Sequence, residues 1–171
     1  METSAKQTGL YDFFTQCLQD LYGAEKKIHK CYAALSLASF TPELQSALSS
    51  QAEEANNHIS RLELIFKMLD YKPETCKCEI VEILSEKAAA IVKNVETGTA
   101  LRDAEIIYAV QLVEHYKIAS YGSLVSLMGE IGYPDAEILL DQCLADEKNA
   151  DGYLTQIAVN FINPAAKKES T

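Results

Sequence analysis

The sequence predicts an all-α protein, a four-helix bundle with one long crossover that contains an additional short helix. Only 7 glycines and 4 prolines interrupt the 171 residues, so long helices are expected. Apolar residues recur along four long segments in alternating steps of four and three, which is typical of helices packed in a bundle. The segments form two hairpins joined by a connection of about 30 residues, as in bundles with one long crossover.

The first hairpin is predicted to contain helices over residues 10–37 and 42–69. Thr41 followed by Pro42 is typical of an N-cap with proline at the first helical position. The residues expected to face the core are Phe14, Leu18, Leu21, Glu25, Ile28, Tyr32 and Leu35 in the first helix and Leu44, Leu48, Gln51, Ala55, His58, Leu62, Ile65 and Leu69 in the second.

The second hairpin is predicted to contain helices over residues 99–130 and 134–161, and the short crossover helix over residues 79–95 precedes it. A turn with Gly132 and Pro134 separates the two long helices. The residues expected to face the core are Ile107, Gln111, Glu114, Ile118, Tyr121, Val125 and Met128 in the third long helix and Leu140, Cys143, Glu147, Leu154 and Ala158 in the fourth.

One bundle domain is therefore expected over residues 10–162, between a flexible N-terminus (1–9) and a disordered C-terminal tail (163–171). The net charge of −10 argues against nucleic acid or an anionic membrane as a partner, because no basic stripe is available to contact phosphates. No apolar run approaches the length that crosses a bilayer, and residues 1–9 lack the apolar core of a signal peptide. A cytoplasmic protein is therefore expected.

The cysteines fit reduced thiols better than a disulfide framework, because five of them occur at irregular spacing. Cys17, Cys31 and Cys143 lie on or beside the apolar seams and are expected to be small core residues. Cys76 and Cys78 lie in the crossover loop, where two thiols without a second pair are a weak zinc signal. Ordinary exposed thiols are the favoured interpretation of that pair.

The two hairpins resemble each other around one central polar position. Glu25 is followed by Tyr32 seven residues later, and Glu114 is followed by Tyr121 at the same interval. The partner helices carry four further polar residues at matched offsets, namely Glu54, His58, Glu147 and Asp151. Residues four positions apart lie on one face of a helix, so these side chains are expected to converge in the middle of the bundle.

Burying several unpaired carboxylates together costs free energy, so either they are protonated or cations neutralise them. Two divalent ions would balance about four carboxylates, and His58 would add a nitrogen ligand suited to a transition metal. Glutamates from two helices together with glutamate–histidine pairs from the other two form the di-iron carboxylate pattern. The predicted cofactor is two transition-metal ions, iron first and manganese as the alternative, and the predicted ligands are Glu25, Glu54, His58, Glu114, Glu147 and Asp151.

Other polar residues are expected to support these ligands. The hydroxyl groups of Tyr32 and Tyr121 are able to hydrogen-bond a ligating carboxylate. His29 and His115 each lie one position past the inward-facing residues, so they are expected beside the ligands or at the surface.

Three stretches in particular match a known family: Asp20-Leu-Tyr-Gly-Ala-Glu25-Lys, Val113-Glu-His-Tyr-Lys-Ile-Ala-Ser-Tyr-Gly122 and Asp146-Glu-Lys-Asn-Ala-Asp151. With them, about residues 10–160 resemble the YciE/YciF stress-protein family of bacterial ferritin-like proteins. The resemblance implies a ferritin-like fold, a homodimer and a rubrerythrin-like dimetal centre with ligands at the six positions named above. The family often has glutamine at the position of His58, and the resemblance does not define a reaction.

The leading functional hypothesis is an iron-binding, ferritin-like protein that reacts with oxygen or peroxide during stress. If the protein is an enzyme, the expected activity is that of a di-iron oxidase or a peroxidase-like enzyme. The main alternative is a helical interaction or scaffold protein with a degenerate or structural metal site, in which the carboxylates are protonated or paired. Iron storage in a cage is a weaker alternative, because storage requires a large shell that nothing in the sequence indicates.

Overall fold

The computed structural model describes residues 9–74 and 76–169, and over these residues it is a helical bundle without strands. Its helices are α1 (Leu10–Ala38), α2 (Pro42–Met68), α3 (Glu79–Asn94), α4 (Ala100–Ile131), α5 (Pro134–Ile157) and α6 (Asn163–Glu169), and a π-helical turn (Ala158–Ile162) joins α5 to α6. The predicted bundle with one crossover helix is confirmed, and the bounds of α1 to α4 agree with the predicted ones to within one residue.

The two hairpins pack against each other to enclose one core. α1 packs along α2 and α4 packs along α5, and the hairpins meet where α2 contacts α5 and α1 contacts α4. The crossover helix α3 lies against α4 and α1. The core includes the fully buried side chains of Phe14, Leu18, Leu48, Phe66 and Ile106. Burial of each such side chain contributes about 1.5–3 kcal/mol, so apolar packing determines the bundle.

A buried carboxylate anchors the turn between α1 and α2. The side chain of Asp103 on α4 accepts hydrogen bonds from the backbone N–H groups of Phe40 and Thr41, both at 2.8 Å. Pro42 occupies the first helical position as predicted, whereas the Thr41 side chain makes no capping hydrogen bond. The N-terminus of α2 is therefore positioned by α4 rather than by its own predicted cap.

The predicted disordered tail is wrong for residues 163–169, which form α6. The Glu169 carboxylate accepts hydrogen bonds from the backbone N–H groups of Ala100 at 2.8 Å and Leu101 at 3.1 Å, at the start of α4. Those N–H groups have no partner within their own helix, and a negative charge is favourable at a helix N-terminus. The tail is ordered by this long-range cap, which local polarity did not indicate. Residues 1–8, 170 and 171 lie outside the described residues.

Within residues 9–74 and 76–169, no helix combines the length and apolar character needed to cross a membrane. The cysteines described here are all free thiols, as the sequence predicts, and Cys143 is buried while the other four are half-buried. The crossover-loop thiols Cys76 and Cys78 are therefore less exposed than expected.

We expect Gly23→Ala to destabilise the bundle, because a Cβ at Gly23 would lie 2.2 Å from the backbone oxygen of Cys76. The crossover loop passes that close to α1, and moving it should reduce the free energy of unfolding by about 1–3 kcal/mol. The matched control is Gly152→Ala in α5, where a Cβ would have no neighbour within 4 Å. Alanine is the better helix former, so the control should gain about 0.5–1 kcal/mol. Urea denaturation of both variants tests this, and a loss of the same size in both would contradict it.

Replacing Glu169 with alanine should remove the cap on α4 and lower the free energy of unfolding by about 1 kcal/mol. Lys167→Ala changes an exposed side chain on the same short helix and should alter stability by less than about 0.5 kcal/mol. Thermal melting of the two variants beside the parent protein measures the difference. Equal melting of Glu169→Ala and the parent would show that the cap does not stabilise α4.

Candidate metal centre

Three helices bring a carboxylate pair and an imidazole together at the middle of the bundle. Glu25 on α1, His58 on α2 and Glu147 on α5 are all buried, and one ligand atom from each lies within 4.8 Å of the other two. The Nδ1 atom of His58 lies 3.2 Å from Oε1 of Glu25 and 2.8 Å from Oε1 of Glu147. Three of the six predicted ligands therefore converge.

The two hairpins exchange hydrogen bonds across the centre. The Tyr121 hydroxyl donates to Oε1 of Glu25 at 2.7 Å, and the Tyr32 hydroxyl donates to Oε1 of Glu114 at 2.5 Å. Burial raises the pKa of both tyrosines well above its ordinary value, and the neighbouring glutamates raise it further. Both hydroxyl groups therefore remain donors, and their predicted role beside the carboxylates is confirmed.

A buried lysine that the sequence analysis missed also lies in the centre. Nζ of Lys117 lies 2.7 Å from Oε2 of Glu147 and 3.5 Å from Oε1 of Glu114, and its side chain is 3% exposed. Burial alone would lower the pKa of Lys117, but Glu114, Glu25 and Glu147 outweigh it and raise the pKa above its ordinary value. Lys117 is therefore charged, and it neutralises part of the buried negative charge.

The two glutamates beside Lys117 have pKa values that are shifted in opposite directions. Burial raises the pKa of Glu114 well above its ordinary value, and Lys117 offsets only part of this effect. Burial also acts to raise the pKa of Glu147, but Lys117, Glu114 and His58 outweigh it and hold that pKa far below its usual range. Glu147 is therefore the ionised partner of Lys117, and the neutral form of Glu114 is favoured.

A second group of polar side chains forms a rim beside the centre. Nε2 of His58 lies 3.4 Å from Oδ2 of Asp146 and 3.7 Å from Oε1 of Glu54. The Arg61 guanidinium lies 2.6 Å from the same oxygen of Asp146. The predicted ligand Glu54, whose side chain is 39% exposed, belongs to this rim rather than to the buried centre. Asp146 and Arg61 were not predicted, although Asp146 directly precedes Glu147 in the sequence.

Asp151 lies away from the centre. Its Oδ1 atom accepts a hydrogen bond from Nε2 of Gln111 at 3.1 Å and lies 3.6 Å from Nε2 of His115, which is 69% exposed. Four helical residues turn the side chain by about 40° beyond one full turn, which directs Asp151 toward the edge facing α4. Among residues 9–74 and 76–169, neither Asp151 nor Glu114 belongs to a group of three potential ligands. The Nδ1 atom of His29 lies 2.7 Å from the backbone oxygen of Ala52, away from these groups.

The atoms at the centre fit a transition-metal ion. Oε2 of Glu25 and Oε2 of Glu114 are buried without a hydrogen-bond partner, and Oε1 of Glu147 has only Nδ1 of His58, 2.8 Å away, which also faces Glu25. Buried polar atoms are normally satisfied, so these oxygens are unusual. A single imidazole N–H cannot donate well to both carboxylates that face it, whereas one cation is able to bind all three groups. Two carboxylates and one imidazole suit iron, manganese or zinc.

A cleft of about 280 Å³ between α2 and α5 reaches this centre. Its walls are mostly small or polar side chains, and His58, Lys117 and Glu147 form part of its lining. One water molecule occupies about 30 Å³ in the liquid, so the cleft admits ions and small molecules rather than large substrates. The residues that line it are Ala47, Ser50, Gln51, Glu54, Ala55, His58, Lys117, Asp146, Glu147, Asn149, Ala150 and Tyr153.

The fold and this cluster define a class of helical-bundle proteins whose core holds carboxylate, imidazole and ammonium groups. Residues 9–167 match the family described as a domain of unknown function (DUF892), and the chain belongs to that family. It is 36% identical over 160 residues to Protein YciF of Escherichia coli (strain K12), an alignment that covers 93% of this chain and 96% of YciF. The resemblance inferred from the sequence is therefore confirmed.

Solved structures agree with this assignment. The crystal structure of the E. coli stress protein YciF matches with a TM-score of 0.88 and 35% sequence identity, covering 92% of this chain and 99% of that one. YcfI from Rhodopseudomonas palustris matches with a TM-score of 0.85 and 31% identity, covering 89% and 96% of the two chains.

The metal-free protein should lose stability as the pH rises from 6.5 to about 9. Burial alone would lower the pKa of His58, but hydrogen bonds with Glu147 and Glu25 outweigh it and raise the pKa from 6.5 to about 11. The charged imidazole therefore stabilises the fold fully below pH 6.5, and this contribution is lost as the pH approaches about 11. The slope should not exceed about 1.4 kcal/mol per pH unit.

Urea unfolding of the metal-free protein at several pH values measures this slope. His58→Gln removes the titrating group and should flatten the dependence over the same range. A slope that is unchanged in His58→Gln would show that another group causes it.

Proposed function

We propose that this chain binds a transition-metal ion, iron first and manganese as the alternative, and reacts with oxygen or hydrogen peroxide during stress. The observation that carries the proposal is the buried group of Glu25, His58 and Glu147, in which one imidazole nitrogen faces two carboxylates and Oε2 of Glu25 has no hydrogen-bond partner. The relationship of this chain to YciF, which is described as a stress protein, supports a role during stress.

Each group around the proposed ion has a separate task. Glu25, His58 and Glu147 would hold the ion, and bound iron supplies one-electron chemistry toward oxygen or peroxide. The Tyr121 hydroxyl fixes one oxygen of Glu25, and Lys117 fixes the second oxygen of Glu147. Such contacts orient ligating carboxylates before the ion binds. The narrow cleft admits small oxidants and keeps bulky molecules away from the centre.

Glu147→Gln should weaken iron binding by about tenfold or more, because the change removes a ligand charge while keeping the shape of the side chain. Asp151→Asn is the matched control, since Asp151 pairs with Gln111 and His115 outside the centre. This control should bind iron within about twofold of the parent protein. Anaerobic titration with ferrous ion, followed by elemental analysis of the desalted protein, measures both.

Unchanged iron content in Glu147→Gln would rule out the proposed centre. Loss of binding in Asp151→Asn alone would instead favour the site predicted from the sequence. If iron binds as proposed, the loaded protein should consume hydrogen peroxide faster than the metal-free protein and faster than the Glu147→Gln variant treated identically.

The scaffold alternative has one observation in its favour. Lys117 and His58 neutralise carboxylates in the core without any metal ion. The relative YcfI is also described, provisionally, as a structural protein. Thermal melting with and without ferrous ion separates the two functions, because an ion that binds only the folded form raises its stability by about 2.7 kcal/mol at one hundred times its Kd. No shift at millimolar ion would favour the scaffold.

The homodimer implied by the family resemblance stays a prediction. α4 carries three large exposed apolar side chains in steps of seven and four, Leu101, Tyr108 and Leu112, on one side of the helix. Exposed apolar side chains that share a helix face are commonly covered by another chain. Analytical ultracentrifugation tests the dimer, and Tyr108→Glu should weaken it if this face is the interface.

A further inference from the structure

We propose that Lys117 is the resident second cation of the centre, an ammonium group that takes the place of a second metal ion between Glu114 and Glu147. The inference rests on the proposed function in that it assumes an ion at Glu25, His58 and Glu147. It adds that the buried glutamates hold one metal ion rather than the two predicted from the sequence.

The geometry places the two cation positions on opposite oxygens of one carboxylate. Glu147 presents Oε1 to Nδ1 of His58, at 2.8 Å, and Oε2 to Nζ of Lys117, at 2.7 Å. An ion that bridged Oε1 of Glu114 and Oε2 of Glu147 would occupy the position of the Lys117 ammonium group, which contacts these two oxygens. A lysine and a metal ion at that position would repel each other, and more strongly than at the surface because both would be buried.

The burial of Lys117 is itself informative. Removing an ammonium group from water costs several kcal/mol unless close carboxylates compensate, and lysine is among the residues least often fully buried. Lys117 projects inward one helical turn after Glu114 and lies over the ring of Tyr32, 5.4 Å from its centroid. Carboxylate and aromatic contacts together enclose the ammonium group, so its position is defined by packing as well as by charge.

Lys117→Met removes the charge and keeps an unbranched apolar side chain of similar length. In the metal-free state this variant should melt lower than the parent protein by about 5 °C or more, because a buried carboxylate loses its partner. Ferrous ion should then raise its melting temperature by more than it raises that of the parent. Anaerobic loading followed by elemental analysis should give one ion per chain in the parent and two in Lys117→Met.

Two further variants make the experiment specific. Lys27→Met changes an exposed lysine paired with Glu82 and should keep one ion per chain. The double variant Glu114→Gln with Lys117→Met removes the proposed second position along with the lysine. It should return to one ion per chain, which a purely structural role of Lys117 would not produce.

The outcomes distinguish the two proposals. Two ions in the parent would overturn the inference and leave the proposed function standing, and this measurement does not depend on any variant folding. One ion in both the parent and a folded Lys117→Met would also overturn it. No ion in the parent with binding in Lys117→Met would overturn both, because the inference assumes an ion at Glu25, His58 and Glu147 in the parent. No ion in any of these proteins would overturn both.

Discussion

The arrangement of the core depends on matching buried negative charge with positive charge. Glu25 and Glu147 are buried, and each contacts a cation or a hydroxyl donor within hydrogen-bonding distance. An unpaired carboxylate in this position would cost several kcal/mol, a large part of the stability of an ordinary domain. Lys117 and His58 supply the positive charge that these carboxylates require, so the bundle is able to fold before any metal ion binds.

This constraint explains why the interior is both polar and ordered. Each tyrosine of the internal repeat donates to the glutamate of the opposite hairpin, so Tyr32 and Tyr121 tie the two halves together. A half-satisfied polar network is less stable than an apolar core. Oε2 of Glu25 and Oε2 of Glu114, which have no partner, are therefore the places where the network is incomplete, and Glu25 belongs to the group that would hold the proposed ion.

The fold was predictable from the sequence because apolar spacing alone defines the long helices. The charged part of the core was predictable only in part. Inward positions on α4 were assigned by hydrophobicity, which selected Ile118 and Val125, although the structure leaves both half-buried and buries Lys117 and Leu124 instead. Both choices fit steps of three and four, so only packing against the other helices decides between them.

Distance along the chain limited the remaining predictions. Asp151 follows Glu147 at the same offset at which His58 follows Glu54. This position on the helix does not reveal which neighbour faces the side chain, and in the structure that neighbour is Gln111. The order of α6 depends on Glu169 reaching Ala100, a contact between residues far apart in the sequence. The local sequence pattern gives little information about contacts between distant residues. It gives nearly all the information about where a long helix begins and ends.

The distribution of charge between the hairpins bears on how the protein is made. The half synthesised first contains Glu25 together with His58, and the half synthesised second contains Glu147 together with Lys117. Each half thus carries a cationic group beside one of its own buried carboxylates, and His58 also lies 2.8 Å from Glu147 of the other half. If the chain binds iron as proposed, the ion would join a core whose carboxylates already have cationic partners, so the iron supply would limit loading rather than folding.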